Sequence, residues 1–187
     1  GLGASVVVTE VDSVKAIEAL MDGFKVLTMD KASEIGDFFV TVTGCENVIV
    51  KKHFGKMKDG AVLCNAGHFN VEICIPDLED LSSEITQSRK NITCYTMKNG
   101  RRLYMLGEGR LVNLACGDGH PAEIMDMSFA VQAYASEYIA AHHEELKPGI
   151  FEIPWEIDSR ISDMKLVSLG ITIDKLTPEQ EKYIHSW

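Results

Sequence analysis

The sequence predicts an α/β fold, in which a doubly wound parallel sheet is followed by a long helix and a helical C-terminal segment. Short apolar or β-branched runs alternate with segments of helical spacing in the first third of the chain. Such alternation implies parallel strands that are joined by crossover helices. The segment 122–146 contains no proline, and its apolar residues recur at helical spacing, which predicts the long helix.

The first β-branched run, residues 5–10, stops at Glu10, and Asp12 with Ser13 forms a candidate helix N-cap. This arrangement resembles the second strand of a dinucleotide-binding unit, in which an acid at the strand end binds the adenosine ribose. The glycine fingerprint of that unit precedes the acid by roughly 20 residues. We therefore expect the chain to begin partway through a Rossmann-like half. Without its neighbours, Glu10 would be a surface carboxylate.

Two histidines on glycine turns indicate one active site. His68 follows the apolar run 61–65, and ligands of open α/β sheets gather at the carboxyl ends of parallel strands. His120 lies in a Gly-His-Pro string. The alternatives are a loop histidine without function and a simple turn. Thr43 and Gly44 end another strand, where glycine allows close approach to a ligand; the alternative is a turn with Thr43 as a helix N-cap.

Further elements complete the prediction. Strands are expected at 25–28 and 37–42, with helical spacing at 31–35 and 48–57. Asn99-Gly100 predicts a type I′ hairpin between runs 92–97 and 103–106. The apolar stripe of the long helix is typical of a core. A second helix follows Pro154 to about Leu169, and Thr177, Pro178 and Gln180 predict a capped terminal helix. The predicted domains are 1–120, a partial cofactor-binding domain; 121–150, a hinge and helix; and 151–187, a helical subunit contact.

Composition argues against several classes of protein. The 187 residues carry a formal net charge of −10, and nucleic-acid binders usually show a basic patch. No apolar stretch approaches the length of a membrane span, and no secretory signal is visible. The five cysteines lack Cys-x-x-Cys spacing, which favours free thiols in the cytoplasm over disulfides or a metal site. We expect no nucleic-acid partner, no membrane and no metal.

Six strings of the sequence form a pattern that is recognisable by its order and spacing. The strings are Thr9-Glu10-Val11-Asp12, Val42-Thr43-Gly44-Cys45, Cys64-Asn65-Ala66-Gly67-His68-Phe69-Asn70-Val71-Glu72-Ile73, Lys98-Asn99-Gly100-Arg101-Arg102, Glu108-Gly109-Arg110-Leu111-Val112-Asn113-Leu114 and Gly119-His120-Pro121. Taken together, they resemble the C-terminal half of the S-adenosyl-L-homocysteine hydrolase family. The resemblance covers nearly all of the chain.

The resemblance implies reversible hydrolysis of S-adenosylhomocysteine to adenosine and homocysteine, with a tightly held NAD as internal catalyst. Oxidation of the ribose 3′-hydroxyl acidifies the neighbouring 4′ proton, homocysteine leaves by elimination, water adds, and the ketone is reduced again. The cofactor supplies the difficult chemistry and the protein positions it. A close alternative substrate is S-inosylhomocysteine, and an alternative from another class is a regulatory homologue without catalysis.

The resemblance also implies roles for individual residues. Glu10 would bind the adenosine ribose of NAD, and Asn113 the nicotinamide carboxamide. His68 would handle protons near the substrate ribose and the leaving sulfur. His120 would contact cofactor and substrate at the hinge and join His68 as a catalytic residue. The cofactor groove would also be lined by Thr43, Gly44, Ala66, Gly67 and His68, and the nucleoside would contact Gly119, His120, Met125 and Phe129.

Departures from the family pattern concern cofactor affinity and subunit contacts. Lys15 stands where many members have asparagine, Asn70 replaces a common aspartate, and the sequence stops at Trp187 without the tail that reaches a neighbouring subunit in many members. The family implies a cytoplasmic homo-oligomer, a dimer of dimers. Because the substrate domain of the family has no counterpart in this sequence, we expect this chain alone to be inactive.

Overall fold

A computed structural model describes residues 2–186 and divides the chain into two compact units, one ending at Gly119 and one starting at His120. The first unit contains all seven strands found in the described residues. These are β1 (Val7–Val8), β2 (Lys25–Val26), β3 (Phe38–Thr41), β4 (Val62–Asn65), β5 (Ser82–Arg89), β6 (Ile92–Met97) and β7 (Arg102–Leu106). Its helices are α1 (Ser13–Met21), α2 (Met29–Ile35), α3 (Lys51–Phe54), α4 (Ile75–Leu81) and α5 (Val112–Ala115), with a 3-10 turn at Gly107–Gly109.

The strands of the first unit form a parallel pair and a mixed sheet. β1 and β2 form the parallel pair. The larger sheet has the order β3-β4-β7-β6-β5, in which β3, β4 and β7 are parallel and the β6 and β5 strands run antiparallel to their neighbours. The predicted α/β fold with a parallel-rich sheet followed by helices is confirmed. The carboxyl ends of β3, β4 and β7 therefore lie on the same side of the sheet, and this side is the carboxyl edge.

The core of this unit forms around the two central strands, β4 and β7. Leu63 on β4 and Met105 on β7 are neighbours in register and are fully buried. Two helices each contribute one large buried side chain to this core, Phe54 from α3 and Leu78 from α4. Complete burial of such side chains stabilises a fold by roughly 1.5–3 kcal/mol each. This packing holds β4, whose last residue is Asn65, in a rigid position.

The predicted type of the hairpin turn requires correction. A type I′ turn needs positive φ at both central residues. Gly100 has φ 85°, but Asn99 does not have a positive φ. The Met97 N–H donates to Arg101 O at 2.7 Å, and the Gly100 N–H donates to Met97 O at 2.8 Å. The loop therefore has three residues, 98–100, and ends with a left-handed glycine.

Strand β5 is absent from the sequence prediction. Its eight residues are exposed except for half-buried Ser82, and β5 is one of the two edge strands of the larger sheet. An edge strand with little burial carries no hydrophobic alternation, and alternation is the main sequence signal for a strand. The predicted helical spacing over 48–57 also shortens to α3, Lys51–Phe54.

The described part of the second unit, residues 120–186, contains three helices: α6 (Ala122–His142), α7 (Trp155–Ser168) and α8 (Pro178–Ile184). Helix α6 packs on α7, where Lys165 Nζ lies 3.1 Å from Asp126 Oδ2. The guanidinium of Arg160 lies 4.9 Å from the centre of the Tyr134 ring. Within the described residues, no helix has both the length and the apolar character needed to cross a membrane.

The ends of these helices test the capping predictions. The capping box of α8 is confirmed, because Gln180 N donates to Thr177 Oγ1 at 3.3 Å and Thr177 N donates to Gln180 Oε1 at 2.8 Å.

Helix α6 ends at His142, short of the predicted Leu146. No α6 residue is buried, so its apolar stripe forms no core within this chain. Packing on α7 covers one face of α6 only.

Candidate cofactor and active site

The loops that follow β3, β4 and β7 are linked at the carboxyl edge of the larger sheet. Ile49 and Ile73 form a parallel bridge between the first two loops, and Asn65 and Leu111 form another between β4 and the segment after β7. Parallel strands place their following loops on the same side. Three separate parts of the sequence thus meet at this edge.

Asn65, the last residue of β4, is fully buried and links these loops through its side-chain amide. Its Oδ1 accepts from Gly67 N at 2.7 Å and from Thr41 Oγ1 at 3.1 Å. Its Nδ2 group donates to the carbonyls of Gly67, Phe69 and Gly109 at 3.2, 2.8 and 2.9 Å. An asparagine amide offers both acceptors and donors. Asn65 therefore holds the turn that carries His68 against the segment after β7.

Glu72 is a second fully buried polar residue at this edge. Its Oε2 accepts hydrogen bonds from Thr43 N at 2.9 Å and from Thr43 Oγ1 at 2.8 Å. Its Oε1 accepts from Gly44 N at 2.7 Å. The backbone of Glu72 is fixed as well, since its carbonyl accepts from Val48 N and Ile49 N. The carboxylate therefore joins the loop after β3 to the loop after β4.

The protonation of Glu72 follows from these contacts. Burial by itself would raise the pKa of Glu72, but the backbone N–H groups of Thr43 and Gly44 and the Thr43 hydroxyl together lower this pKa below its usual value. A carboxylate that accepts several hydrogen bonds favours its charged form. Glu72 is therefore ionised in the folded protein at neutral pH.

Glu72→Gln should lower the free energy of unfolding at neutral pH by about 2 kcal/mol, because charge-assisted bonds are lost. A depressed pKa in the folded state stabilises the fold above the usual glutamate pKa, and this stability is lost as the pH falls through the folded-state value. The gap between wild type and variant should therefore be constant near pH 7 and shrink below about pH 4. Urea unfolding across this pH range measures it. Exposed Glu84→Gln is the control, and a gap that does not change with pH would contradict the argument.

Two positions of the site require glycine, each for a different structural reason. A Cβ on Gly67 would overlap Glu72 Oε1 and lie 2.8 Å from Glu72 Cδ and 2.9 Å from Asn65 Oδ1, so the carboxylate fills the space that a side chain would need. Gly44 has φ 70° and no atom within 4 Å of a Cβ position. A left-handed φ favours glycine, and the open surface above Gly44 leaves room for a flat ligand group.

The structure brings most of the predicted cofactor residues to this edge. His68 is exposed on the turn after β4, and its ring meets the Phe69 ring edge to face, with centroids 4.6 Å apart. Ala66 is half-buried and donates its N–H to Thr41 O at 2.8 Å. Asn113 is exposed on α5, two residues after the bridge at Leu111.

Thr43 does not cap a helix, so the alternative interpretation of this turn is wrong. Its hydroxyl donates to Glu72 and accepts from Cys45 N at 3.0 Å. The next helix, α3, begins only at Lys51. The Thr43 hydroxyl thus links its loop to Glu72 and to the backbone of Cys45.

Glu10 follows β1, which belongs to the separate parallel pair. Its Oε1 accepts from Val11 N at 2.7 Å and from Asp12 N at 3.0 Å. These N–H groups, that of Asp12 first, lower the pKa of the exposed Glu10 carboxyl. The predicted N-cap at Asp12 is confirmed, since its Oδ1 accepts from Val14 N at 2.8 Å. Glu10 is therefore an oriented, ionised and accessible carboxylate.

One of the predicted substrate residues belongs to the first unit, and the other three belong to the second unit. Gly119 ends the first unit with φ 96°. In the second unit His120 is exposed, Met125 is half-buried and Phe129 has 57% of its surface exposed. Within residues 2–186, no cluster of three or more histidine, cysteine or acidic side chains could hold a metal ion.

Sequence reasoning assigned no role to Asn65 or Glu72. One signal was available for each: Asn65 ends an apolar strand, and Glu72 stands between Val71 and Ile73 in an otherwise apolar string. Polar residues in such positions need hydrogen-bond partners when they are buried. Their partners come from distant segments, and only the folded chain shows them.

Parallel strands that carry linked glycine turns at one edge, with an accessible acid after the first strand, define a dinucleotide-binding α/β domain. Residues 1–119 match the model of the S-adenosyl-L-homocysteine hydrolase NAD binding domain. The chain belongs to the S-adenosyl-L-homocysteine hydrolase family, and the cofactor of this domain is NAD. The accessible Glu10 carboxylate and the open surface at Gly44 fit such a cofactor.

Individual relatives align along the whole chain. It is 58% identical to an adenosylhomocysteinase of Pyrococcus abyssi and 57% identical to one of Aquifex aeolicus, over 187 residues in each case. It is 56% identical to an S-inosyl-L-homocysteine hydrolase of Methanocaldococcus jannaschii. The alignments cover 100% of this chain and 44%, 45% and 45% of these relatives. The chain thus spans slightly less than half the length of the curated relatives that it matches.

Proposed function

We propose that this chain serves in the reversible hydrolysis of S-adenosyl-L-homocysteine to adenosine and L-homocysteine. The observation that carries the proposal is an exposed histidine, His68, on a turn that the buried Asn65 fixes at the edge of an NAD-binding domain. Membership of the hydrolase family supports the same reaction. A rigid scaffold under an exposed titratable group is what acid–base chemistry requires.

The bound NAD would supply the reversible oxidation of the ribose 3′-hydroxyl. His68 would move a proton near the substrate ribose and the leaving sulfur, since an imidazole changes charge near neutral pH. Its exposure leaves the ring free to reach the substrate, and the edge contact with Phe69 limits its orientation. This chain's part in the reaction would then be to hold the cofactor and to manage protons.

The cofactor would be held by residues of the first unit. Glu10 would accept hydrogen bonds from the adenosine ribose hydroxyls, and Asn113 would bind the nicotinamide carboxamide. Thr43, Gly44, Ala66 and Gly67 would line the groove mainly with backbone atoms. His120 is also proposed as a catalytic residue and would contact the cofactor. Together with Gly119 it would contact the nucleoside, and Met125 and Phe129 would face the purine. The roles of these four residues rest on the family resemblance.

We also propose that the full-length protein is a cytoplasmic homotetramer, a dimer of dimers, in which residues 151–187 contribute a subunit contact. Large apolar side chains support the contact: Trp155 and Val167 on α7 have 76% and 78% of their surface exposed. Exposed apolar area of this kind marks interaction surfaces. Sedimentation velocity of the full-length protein tests the oligomeric state.

The specific alternative is hydrolysis of S-inosyl-L-homocysteine, because a relative of that name is almost as similar as the adenosylhomocysteinases. The decisive experiment supplies the full-length protein with each thioether and measures released homocysteine with a thiol reagent, after bound NAD has been quantified. Release from the adenosyl thioether supports the proposal. Release from the inosyl thioether alone supports the alternative, and no release from either by NAD-loaded protein supports a homologue without catalysis.

Glu10→Ala should weaken NAD retention by the full-length protein about 10- to 100-fold, which is the range expected for the loss of one charge-assisted hydrogen bond. The fold should persist, since Glu10 is exposed and bonds only to neighbouring backbone. Cofactor content after gel filtration, with Glu18→Ala on the exposed face of α1 as control, checks this. Equal NAD content in both variants would remove Glu10 from the site.

A further inference from the structure

We propose that Glu72 is a positioning residue that satisfies the inward-facing donors of the Thr43–Gly44 turn, so that this turn meets an uncharged part of the dinucleotide and not its phosphates. The inference rests on NAD binding by this domain and deepens the proposed function. It concerns a residue that never needs to touch the ligand, because Glu72 is fully buried.

The argument begins with the donors of the turn. Successive backbone N–H groups at a turn with a left-handed residue form a concave site for anions. The N–H groups of Thr43 and Gly44 both point at the Glu72 carboxylate, at 2.9 and 2.7 Å, and the Thr43 hydroxyl adds a third donor at 2.8 Å. The anion of this turn is thus part of the protein. No donor of these three is free to bind a phosphate.

The outer surface of the turn has a different character. Thr43 and Gly44 are both exposed, and a Cβ position on Gly44 has no neighbour within 4 Å. Because the N–H groups of Thr43 and Gly44 are directed at Glu72, the turn offers neither of them to a ligand. Such a surface suits the flat or hydroxyl-bearing parts of a dinucleotide. It does not suit a phosphate, which needs hydrogen-bond donors, because the N–H groups of Thr43 and Gly44 already donate to Glu72.

The chemistry of the pocket requires a carboxylate and not an amide. Each oxygen of Glu72 accepts at least one N–H group, Oε2 from Thr43 and Oε1 from Gly44. A glutamine has one oxygen, so either orientation of its amide would place an NH₂ group against a backbone N–H. A buried donor that faces a donor is costly. Glu72→Gln should therefore release the turn while changing the side-chain volume very little.

The experiment uses the full-length protein with Glu72→Gln and the control Glu84→Gln, which alters an exposed residue on edge strand β5. Hydrogen exchange measures the Thr43 and Gly44 amides, and titration with NAD measures the dissociation constant. We expect faster exchange at both amides and a roughly tenfold rise in the NAD dissociation constant for Glu72→Gln, with neither change in the control. Faster exchange with unchanged NAD affinity would overturn the proposal, as would unchanged exchange.

A second pair of variants keeps the test valid if Glu72→Gln does not fold. Thr43→Val removes the hydroxyl donor and Thr43→Ser restores it. Valine should raise the NAD dissociation constant by about three- to tenfold, and serine should recover most of the wild-type affinity, whereas a role in packing alone would be recovered better by valine, whose shape matches threonine. Equal affinity in both variants would also overturn the proposal. A wild-type protein that binds NAD but releases no homocysteine would refute the proposed function and leave this test intact.

Discussion

Gly67→Ala should cost the full-length protein about 3 kcal/mol or more of unfolding free energy and most of its NAD affinity. Overpacking of a filled interior typically costs 1–3 kcal/mol, and disturbing a buried charge adds to this cost. The new methyl group would overlap the Glu72 carboxylate and approach Asn65 Oδ1 at 2.9 Å. Both residues would have to move, and with them the turns that carry Thr43 and His68.

A matched substitution separates this effect from the general consequence of replacing a glycine. Gly55 has φ −60° at the end of α3, and the atoms nearest a Cβ are 3.7 Å away. Gly55→Ala should therefore be neutral or slightly stabilising. Thermal or urea unfolding of both variants measures the difference. Similar stabilities for Gly67→Ala and Gly55→Ala would show that the site adapts to a side chain and that Glu72 does not hold this space.

A double substitution tests the contact itself. Gly67→Ala combined with Glu72→Ala relieves the overlap, while each single change disturbs the network in its own way. Residues in direct contact give non-additive effects of 0.5–3 kcal/mol. The double variant should accordingly be more stable than the sum of the single losses predicts, and additive losses would contradict the geometry.

The second large effect is expected on turnover. His68→Ala should lower the rate of the full-length enzyme about 10²- to 10⁴-fold, the range typical of a general acid–base group. Its NAD affinity should fall far less, because the turn is held by Asn65 through backbone atoms of Gly67 and Phe69 and not through the imidazole. Steady-state rates measured beside NAD titrations separate the two quantities.

His143→Ala provides the control, because His143 is also exposed and lies just after α6. It should leave turnover unchanged. If His68→Ala keeps a rate within a factor of a few of wild type, His68 is a turn residue without a part in catalysis. If it loses NAD as severely as it loses rate, its role is cofactor binding and not proton transfer.

Much of the fold could be predicted from local patterns. The apolar run before Asn65 became β4, the run 37–42 contained β3, and the signals around Thr177 produced the predicted capping box. These features depend on neighbouring residues, and a periodic pattern reports them directly. The hairpin at Asn99 was predicted correctly as a hairpin and wrongly as a type I′ turn. Turn type depends on where the pairing stops, here between Met97 and Arg101.

The same distinction applies to the site. His68 and the glycine turns could be identified as a site from their position after predicted strands, and the family match agrees with NAD binding. The predicted roles of individual residues await the experiments above. Asn65 and Glu72 received no role, although they make most of the hydrogen bonds that hold this edge together.

The sequence by itself determined the alternation of strands and helices, the family and the cofactor class, because these depend on local hydrophobic period and on short strings of residues. Tertiary structure alone decided that Glu72 fills the space beside Gly67 and accepts the donors of Thr43 and Gly44. These residues are separated along the chain, and a buried carboxylate acquires its partners only when parallel strands bring their carboxyl ends to one edge. Because the carboxylate is removed from water in the folded protein, each missing hydrogen-bond partner would lower the stability of the fold.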